Sequence, residues 1–190
     1  MVKDFYIKNM VCDRCIKVLK NEIEAQEIEL QEIVLGRVQL DFKNEKQIDK
    51  LKVILQINGF ELINSVEDKL TEQVKIQLIK ILSNLPLDLN EKLSTHLSQK
   101  VHQDYSRLSK VFSSTEGVTV EKYFIKLKIE KVKELIQTQE ENFTEISQLL
   151  GYSHINHLSR QFKVETGLSL SQYKAEQRKV RNPLDQIVLI

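Results

Sequence analysis

Apolar residues change their spacing several times along the chain, and each change marks a predicted element. Phe5 and Ile7 alternate with polar neighbours and lead to Met10, which predicts a short strand running into a loop with two cysteines. Ile16, Leu19 and Ile23 then recur at helical spacing. Residues 28–42 return to strand spacing as Ile28, Leu30, then Ile33, Leu35, with Val38, Leu40 and Phe42 after Gly36, where a hairpin would turn. A second helical stretch through Ile48, Leu51, Ile54, Leu55 and Ile57 stops at Asn58-Gly59, and Phe60, Leu62 and Ile63 predict a last strand. The predicted order over residues 1–64 is β-α-β-β-α-β, the split βαβ or ferredoxin-like arrangement.

Val66, Leu70, Val74, Leu78, Ile81, Leu82 and Leu85 follow as one apolar stripe and predict a connecting helix over residues 65–84. Such a stripe serves either to pack on its own domain or to pair with its copy in a dimer, and the pattern fits both.

The second half repeats itself. At a fixed offset of 50, Leu108/Leu158, Ser109/Ser159, Phe112/Phe162, Gly117/Gly167 and Tyr123/Tyr173 are identical, and Lys110/Arg160 keeps its charge. Each copy predicts a helix with Leu and Phe four apart on its buried face, Ser and a cation on the other, and a Gly stop. Before the second copy, residues 143–150 predict a helix with Asn142 as N-cap, followed by the turn Gly151-Tyr152-Ser153, so that segment reads as a helix-turn-helix. The first copy has the same layout, with Leu93 and Leu97 on its leading helix and Val101 where the second has Gly151. Between the copies a long helix is expected over residues 119–137. Tyr123, Phe124, Leu127, Val132, Leu135 and Ile136 would face inward, and Lys122, Lys126, Lys128, Lys131 and Lys133 mostly outward. These lysines serve equally as a solvated face. A spacer of this kind allows two recognition helices to reach major-groove turns about 34 Å apart.

Composition narrows the class. With 41% hydrophobic and 29% charged residues the chain is folded rather than disordered, and only five Gly and two Pro exclude collagenous and low-complexity readings. No apolar run approaches the ~18–20 residues of a spanning helix, and residues 1–6 lack a basic segment followed by an apolar one, so no membrane contact and a cytoplasmic location are expected. The net charge of +1 divides into −2 for residues 1–90 and +3 for residues 91–190. Any binding of a polyanion must therefore come from local placement of basic groups. There is no Gly-rich phosphate loop, nucleophile elbow or clustered Glu/His metal signature, and an enzyme is not expected.

Residues 85–178 resemble the AraC/XylS-type bacterial transcription regulators, whose DNA-binding domain is two helix-turn-helix units joined by a long helix. The resemblance rests on Ile146-Ser147, Gly151-Tyr152-Ser153, the run Leu158-Ser159-Arg160-Gln161-Phe162-Lys163, Gly167 and Tyr173-Lys174, with residues 128–135 on the linker helix. It departs from the family at Ser147 (usually Ala), His157-Leu158 (usually Tyr-Phe) and Leu170 (usually Pro), and the first unit diverges further. The resemblance implies double-stranded DNA as partner, with RNA polymerase as a further one and a homodimer as an option, since one chain already presents two units. Arg160, Asn156, His157, Gln161 and His154 are the candidate base readers, because Arg suits guanine and Asn or Gln suits adenine in the major groove. Lys163 and Ser153 are the candidate phosphate contacts. Tyr105, Ser106, Arg107 and Lys110 hold the equivalent positions in the first unit, with Tyr105 equally suited to packing. His96 and His102 read as surface residues. The bland alternative for both copies is an exposed amphipathic helix on a bundle.

Met10-Val11-Cys12-Asp13-Arg14-Cys15, within the β-α-β-β-α-β segment, is similar to the heavy-metal-associated domain of copper chaperones and metal-transport ATPases. Asn9 stands where that family usually has Gly. Two thiolates on one loop favour a soft ion such as Cu(I) in two-coordinate geometry, although packing thiols or a redox dithiol fit the same pair. No cofactor is required.

The expected organisation is thus an α+β ferredoxin-like domain (1–64), a connecting helix (65–84), an all-α double helix-turn-helix domain (85–182) and a tail (183–190). The expected function is sequence-specific transcription regulation, with the N-terminal domain responding to a soft metal ion or a partner. The competing class is a metal-binding chaperone-like domain fused to a helical interaction module without specific DNA binding.

Overall fold

The computed structural model describes residues 1–176, so the expected domain end at 182 and the tail at 183–190 lie outside the described residues. The chain divides into two compact units, Met1–Ile76 and a second beginning at Gln77.

The first unit runs β1 (Val2–Lys8), α1 (Asp13–Ala25), β2 (Glu29–Val34), β3 (Arg37–Asp41), α2 (Glu45–Ile57) and β4 (Glu61–Leu62). The sheet order is β2-β3-β1-β4, and every neighbouring pair is antiparallel. The expected element order is observed. Alternation in β1 buries Phe5 and Ile7 against Val38 and Leu40 of β3, and Leu19, Ile23, Leu51 and Leu55 from the two helices complete the core. The three-residue step from Leu30 to Ile33 is a bulge: Leu30 pairs with Leu40 and Glu32 with Gln39, leaving Gln31 extra. Gly36 turns the hairpin at φ +74°, and a Cβ there would lie 2.4 Å from Ile76 Cδ1, so both conformation and space select glycine.

α3 (Val66–Ser83) occupies the span expected of the connecting helix, and the division between units falls inside it. Its burial exceeds one stripe. Thr71, Glu72, Lys75, Ile76 and Ile79 are buried as well as Leu70, Val74 and Leu78. Glu72 and Lys75 enter this apolar setting as an ion pair at 3.1 Å, one turn apart.

The second unit runs α4 (Leu93–Val101), α5 (Tyr105–Glu116), α6 (Val120–Thr138), α7 (Phe143–Leu149), α8 (Ile155–Thr166) and α9 (Leu170–Ala175). The repeat in the sequence is a repeat in space. α5 and α8 begin and end 50 residues apart, each stopped by a left-handed glycine, Gly117 or Gly167. Thr119 and Ser169 then cap the next helix through Lys122 N and Gln172 N, both at 3.2 Å. Phe112 meets Tyr123 edge to face at 5.3 Å and 73°, and Phe162 meets Tyr173 at 5.5 Å and 71°.

α6 departs from the expected inward and outward faces in three places. Phe124 is only half-buried. Lys133 is buried, because Glu130 receives its ammonium at 2.7 Å. Lys128 is largely enclosed and lies 3.7 Å above the Tyr152 ring, so its stem packs and its charge meets a π face instead of bulk water. Burial pulls the Lys128 pKa down to about 8 from 10.5.

Two predictions arise from this packing. Phe162→Ala removes one half of an aromatic pair from a fully buried position and should cost ~3–5 kcal/mol in urea unfolding followed by circular dichroism, with Phe162→Leu costing less. An unchanged midpoint for Phe162→Ala would contradict the packing. For Lys128, the unfolded chain holds a proton that the folded chain has released between about pH 8 and 10.5, so stability rises with pH across that window. The stability slope between about pH 8 and 9.5 should therefore be shallower in Lys128→Met than in the wild type, and parallel curves would show a well-hydrated ammonium.

Candidate nucleic-acid interface and thiol pair

The second helix-turn-helix is α7, the turn at Gly151 and α8. A capping box fixes its entry: Asn142 Oδ1 accepts from Thr144 N at 2.9 Å and Glu145 N at 3.1 Å, and Glu145 Oε2 accepts from Asn142 N at 2.7 Å. Gly151 adopts φ +67°. His154 caps α8 through its Nδ1, which accepts from Asn156 N at 3.2 Å. In the first helix-turn-helix, α4 is two residues longer than α7, and the left-handed residue is His102 at φ +56°, one past the Val101 that aligns with Gly151. Histidine is among the side chains that tolerate this region. His102 is exposed as expected, whereas His96 is half-buried with its Nδ1 3.2 Å from Glu91.

Burying Leu108 and Phe112 in α5 turns Ser106, Arg107 and Lys110 outward, and burying Leu158 and Phe162 in α8 turns Asn156, His157, Arg160 and Lys163 outward. Ser106/Asn156, Arg107/His157 and Lys110/Arg160 hold matching positions, so each helix offers three polar or cationic side chains over its first two turns. The charged residues among the exposed ones of both helices are cations only. Ser153 and His154 are exposed at the start of α8, with Ser153 Oγ 3.3 Å from His157 Nδ1.

Two candidates are held differently. The Tyr105 hydroxyl donates to Glu121 on α6, and burial together with that carboxylate pushes its pKa above the ordinary tyrosine range. Gln161 is half-buried, its Oε1 accepting from the Tyr152 hydroxyl at 2.5 Å. Both side chains are half-buried, and each is hydrogen-bonded to a neighbouring residue of the fold.

The structure also brings in residues that the sequence did not single out. Gln103, in the first turn, accepts from Arg107 Nη1 at 3.0 Å. It aligns with Ser153 at the offset of 50, and that alignment was the signal for it. Glu165, near the end of α8, receives Lys122 of α6, and no spacing rule announces that contact.

The thiols lie in the first unit, where Asn9 takes φ +70°, the conformation for which glycine is otherwise used, and donates to Gly59 O at 3.4 Å. Cys12 is the N-cap of α1, Cys15 N donates to Cys12 O at 3.0 Å, and the two Sγ atoms are 3.2 Å apart as free thiols, each half-buried. Burial, then the Cys12 thiol, pushes the Cys15 pKa up, against the thiolate that a helix N-terminus would favour. Met10 is fully buried and belongs to the core. Among the described residues no group of three or more His, Cys, Asp or Glu side chains is gathered for a metal, and no helix is long and apolar enough to cross a membrane.

Comparison with known proteins bears on the second unit. Residues 97–176 match the family of helix-turn-helix domains. The C-terminal domain of the two-component response regulator YesN from Fusobacterium nucleatum is 27% identical, with 53% of this chain and 96% of that one covered at a TM-score of 0.45. A transcriptional regulator from Chromobacterium violaceum, described as containing an AraC-type DNA-binding domain, is 15% identical over 60% of this chain and 100% of that one at 0.50. The transcriptional regulator CdpR from Pseudomonas aeruginosa is 10% identical over 75% of this chain and 46% of that one at 0.44. No curated protein sequence matches the chain. Residues 97–176 thus match the helix-turn-helix domain family, and the fold of the second unit is that of the solved AraC-type structure.

Proposed function

We propose that this protein is a sequence-specific DNA-binding transcription regulator of AraC type, acting in the cytoplasm, in which α5 and α8 read two successive major-groove turns of one DNA face. The observation that carries this is the twofold aromatic pair, Phe112–Tyr123 and Phe162–Tyr173, which aims two short helices with acid-free exposed faces in the same local way. α6, with 19 residues, spans about 28 Å, commensurate with the ~34 Å between half-sites. Arg160, Asn156 and His157 are the base readers of the second unit, with Lys163 and Ser153 on phosphate and His154 at the helix start. Ser106, Arg107 and Lys110 serve the first. Tyr105 and Gln161 act by holding their helices.

The domains run 1–64, 65–84 and 85–182, and the first is a ferredoxin-like domain, for which the sheet order and the two helices on one face are the support. Cys12 and Cys15 would hold a thiophilic ion such as Cu(I). The expected loop pair in fact stands at the start of α1, Cys12 as its N-cap and Cys15 in its first turn, and two sulfurs there without a third clustered donor among the described residues suit low coordination better than a tetrahedral zinc site. Such an ion changes DNA occupancy only if it binds one arrangement of the protein better than another.

Selection of genomic fragments by the reduced, metal-free protein, repeated with Cu(I) under anaerobic conditions, tests both parts. One shared motif about two half-sites long is expected, with recovery that changes on adding the metal. No enrichment would favour the metal-handling alternative, and metal-independent recovery would remove Cu(I) as effector. On that motif, Arg160→Ala should weaken binding by roughly 1–3 kcal/mol and relax preference at one position. Unchanged affinity would show that another side chain reads that base.

A further inference from the structure

Two consecutive residues of α6 each hold one recognition helix. Glu121 accepts the hydroxyl of Tyr105, the first residue of α5, and Lys122 pairs with Glu165, the penultimate residue of α8. The first contact lies within one repeat, whose α5–α6 pair is already fixed by Phe112 on Tyr123. The second crosses between repeats, 43 residues apart in sequence. It is not a loose surface pair: the Glu165 side chain is only 11% exposed, whereas Lys122 is 45% exposed and reaches in from the α6 surface. The same carboxylate lies close enough to Tyr152 to raise its pKa along with burial, and the Tyr152 ring carries Lys128 of α6 on its face. Lys122 and Lys128 thus straddle the Glu165–Tyr152 edge of the second unit from one helix.

We infer that the Lys122–Glu165 pair sets the spacing and phase of the two half-sites that the protein accepts, so that Lys122 is a positioning residue and not a reader of DNA. This rests on the double-reader proposal above. Each base pair added between half-sites rotates one against the other by about a tenth of a turn, so a double reader discriminates spacing only as far as its two recognition helices resist relative rotation. The aromatic pairs cannot supply that resistance, because each acts inside its own repeat. Contacts from α6 to α8 can.

The test measures binding to duplexes carrying the selected motif with one base pair inserted, removed or unchanged between its halves, and to duplexes carrying a single half. Lys122→Ala should leave single-half affinity unchanged, lower the melting temperature modestly because the enclosed Glu165 loses its partner, and reduce the wild-type penalty for the wrong spacing by about fivefold, the size of coupling through one contact. Lys122→Glu should reduce it at least as much, and Lys122→Glu combined with Glu165→Lys should restore it. A spacing profile in Lys122→Ala equal to the wild type's would overturn the inference and leave the double reader standing. A wild type that tolerates every spacing would overturn it likewise, and a wild type that selects no motif would overturn both.

Discussion

The second unit depends on where two phenylalanine rings sit. Phe112 and Phe162 are each eight positions into a recognition helix counted from its first residue, fully buried, and met edge to face by a tyrosine in the helix that follows. An edge-to-face contact is directional in a way that aliphatic packing is not, since the ring edge must find the face of its partner. Fixing the ring fixes the rotation of the helix about its axis. Because residues four before the ring pack on the same side, Leu108 and Leu158 follow it inward, and the positions between them are turned out to solvent. The exposed faces are therefore a consequence of core geometry, and the left-handed glycines with the Thr119 and Ser169 caps hold the tyrosine-bearing helix at the angle the contact requires.

How much of this was legible in the chain varies with the kind of interaction. The repeat was, because the aromatic pair, the glycine stop and the leucine recur at one offset and each has a local reason to be what it is. The first unit was legible for a similar reason, since strand alternation and helix periodicity are short-range consequences of burial on one face. Even the irregular step at Gln31, where alternation broke, had a local cause in a bulge. Long-range pairing of charged side chains was not legible. Lys128 sits on a helix position that periodicity leaves open, and its enclosure depends on Tyr152, whose approach no spacing rule encodes; Lys133 pairs with Glu130 at a spacing the sequence does carry, and only the burial of that pair was hidden. In α3, likewise, Glu72 and Lys75 stand at pairing distance along the helix, and what the sequence does not announce is that the pair is buried. Tyr105 and Gln161 are the same problem at the interface: a polar side chain on the outward arc of a helical wheel can still be claimed by the next element.

These pairings also resolve an apparent contradiction. A chain with a net charge of +1 has no general attraction to a polyanion, and counting residues from 91 onward raises this only to +3. Position within the fold changes the sum that DNA would meet. In α8 the one carboxylate, Glu165, is nearly enclosed and matched to Lys122, while Arg160 and Lys163 stay exposed. On α6, Glu121 is occupied by the Tyr105 hydroxyl, whose hydrogen bond stabilises the charged carboxylate and lowers its pKa, and Glu130 and Glu134 answer lysines one turn away. Of these acids, Glu121 and Glu165 are engaged between helices and Glu130 and Glu134 along α6, and the charged side chains that remain exposed on α5 and α8 themselves are the cations of the two outward faces. Charge segregation of this kind needs no excess of basic residues. It needs only that the acids be the groups the fold uses for its internal contacts, and a Coulomb field that falls off within about 10 Å in salt then shows a ligand at the recognition helices its immediate cations and not the neutral average of the chain.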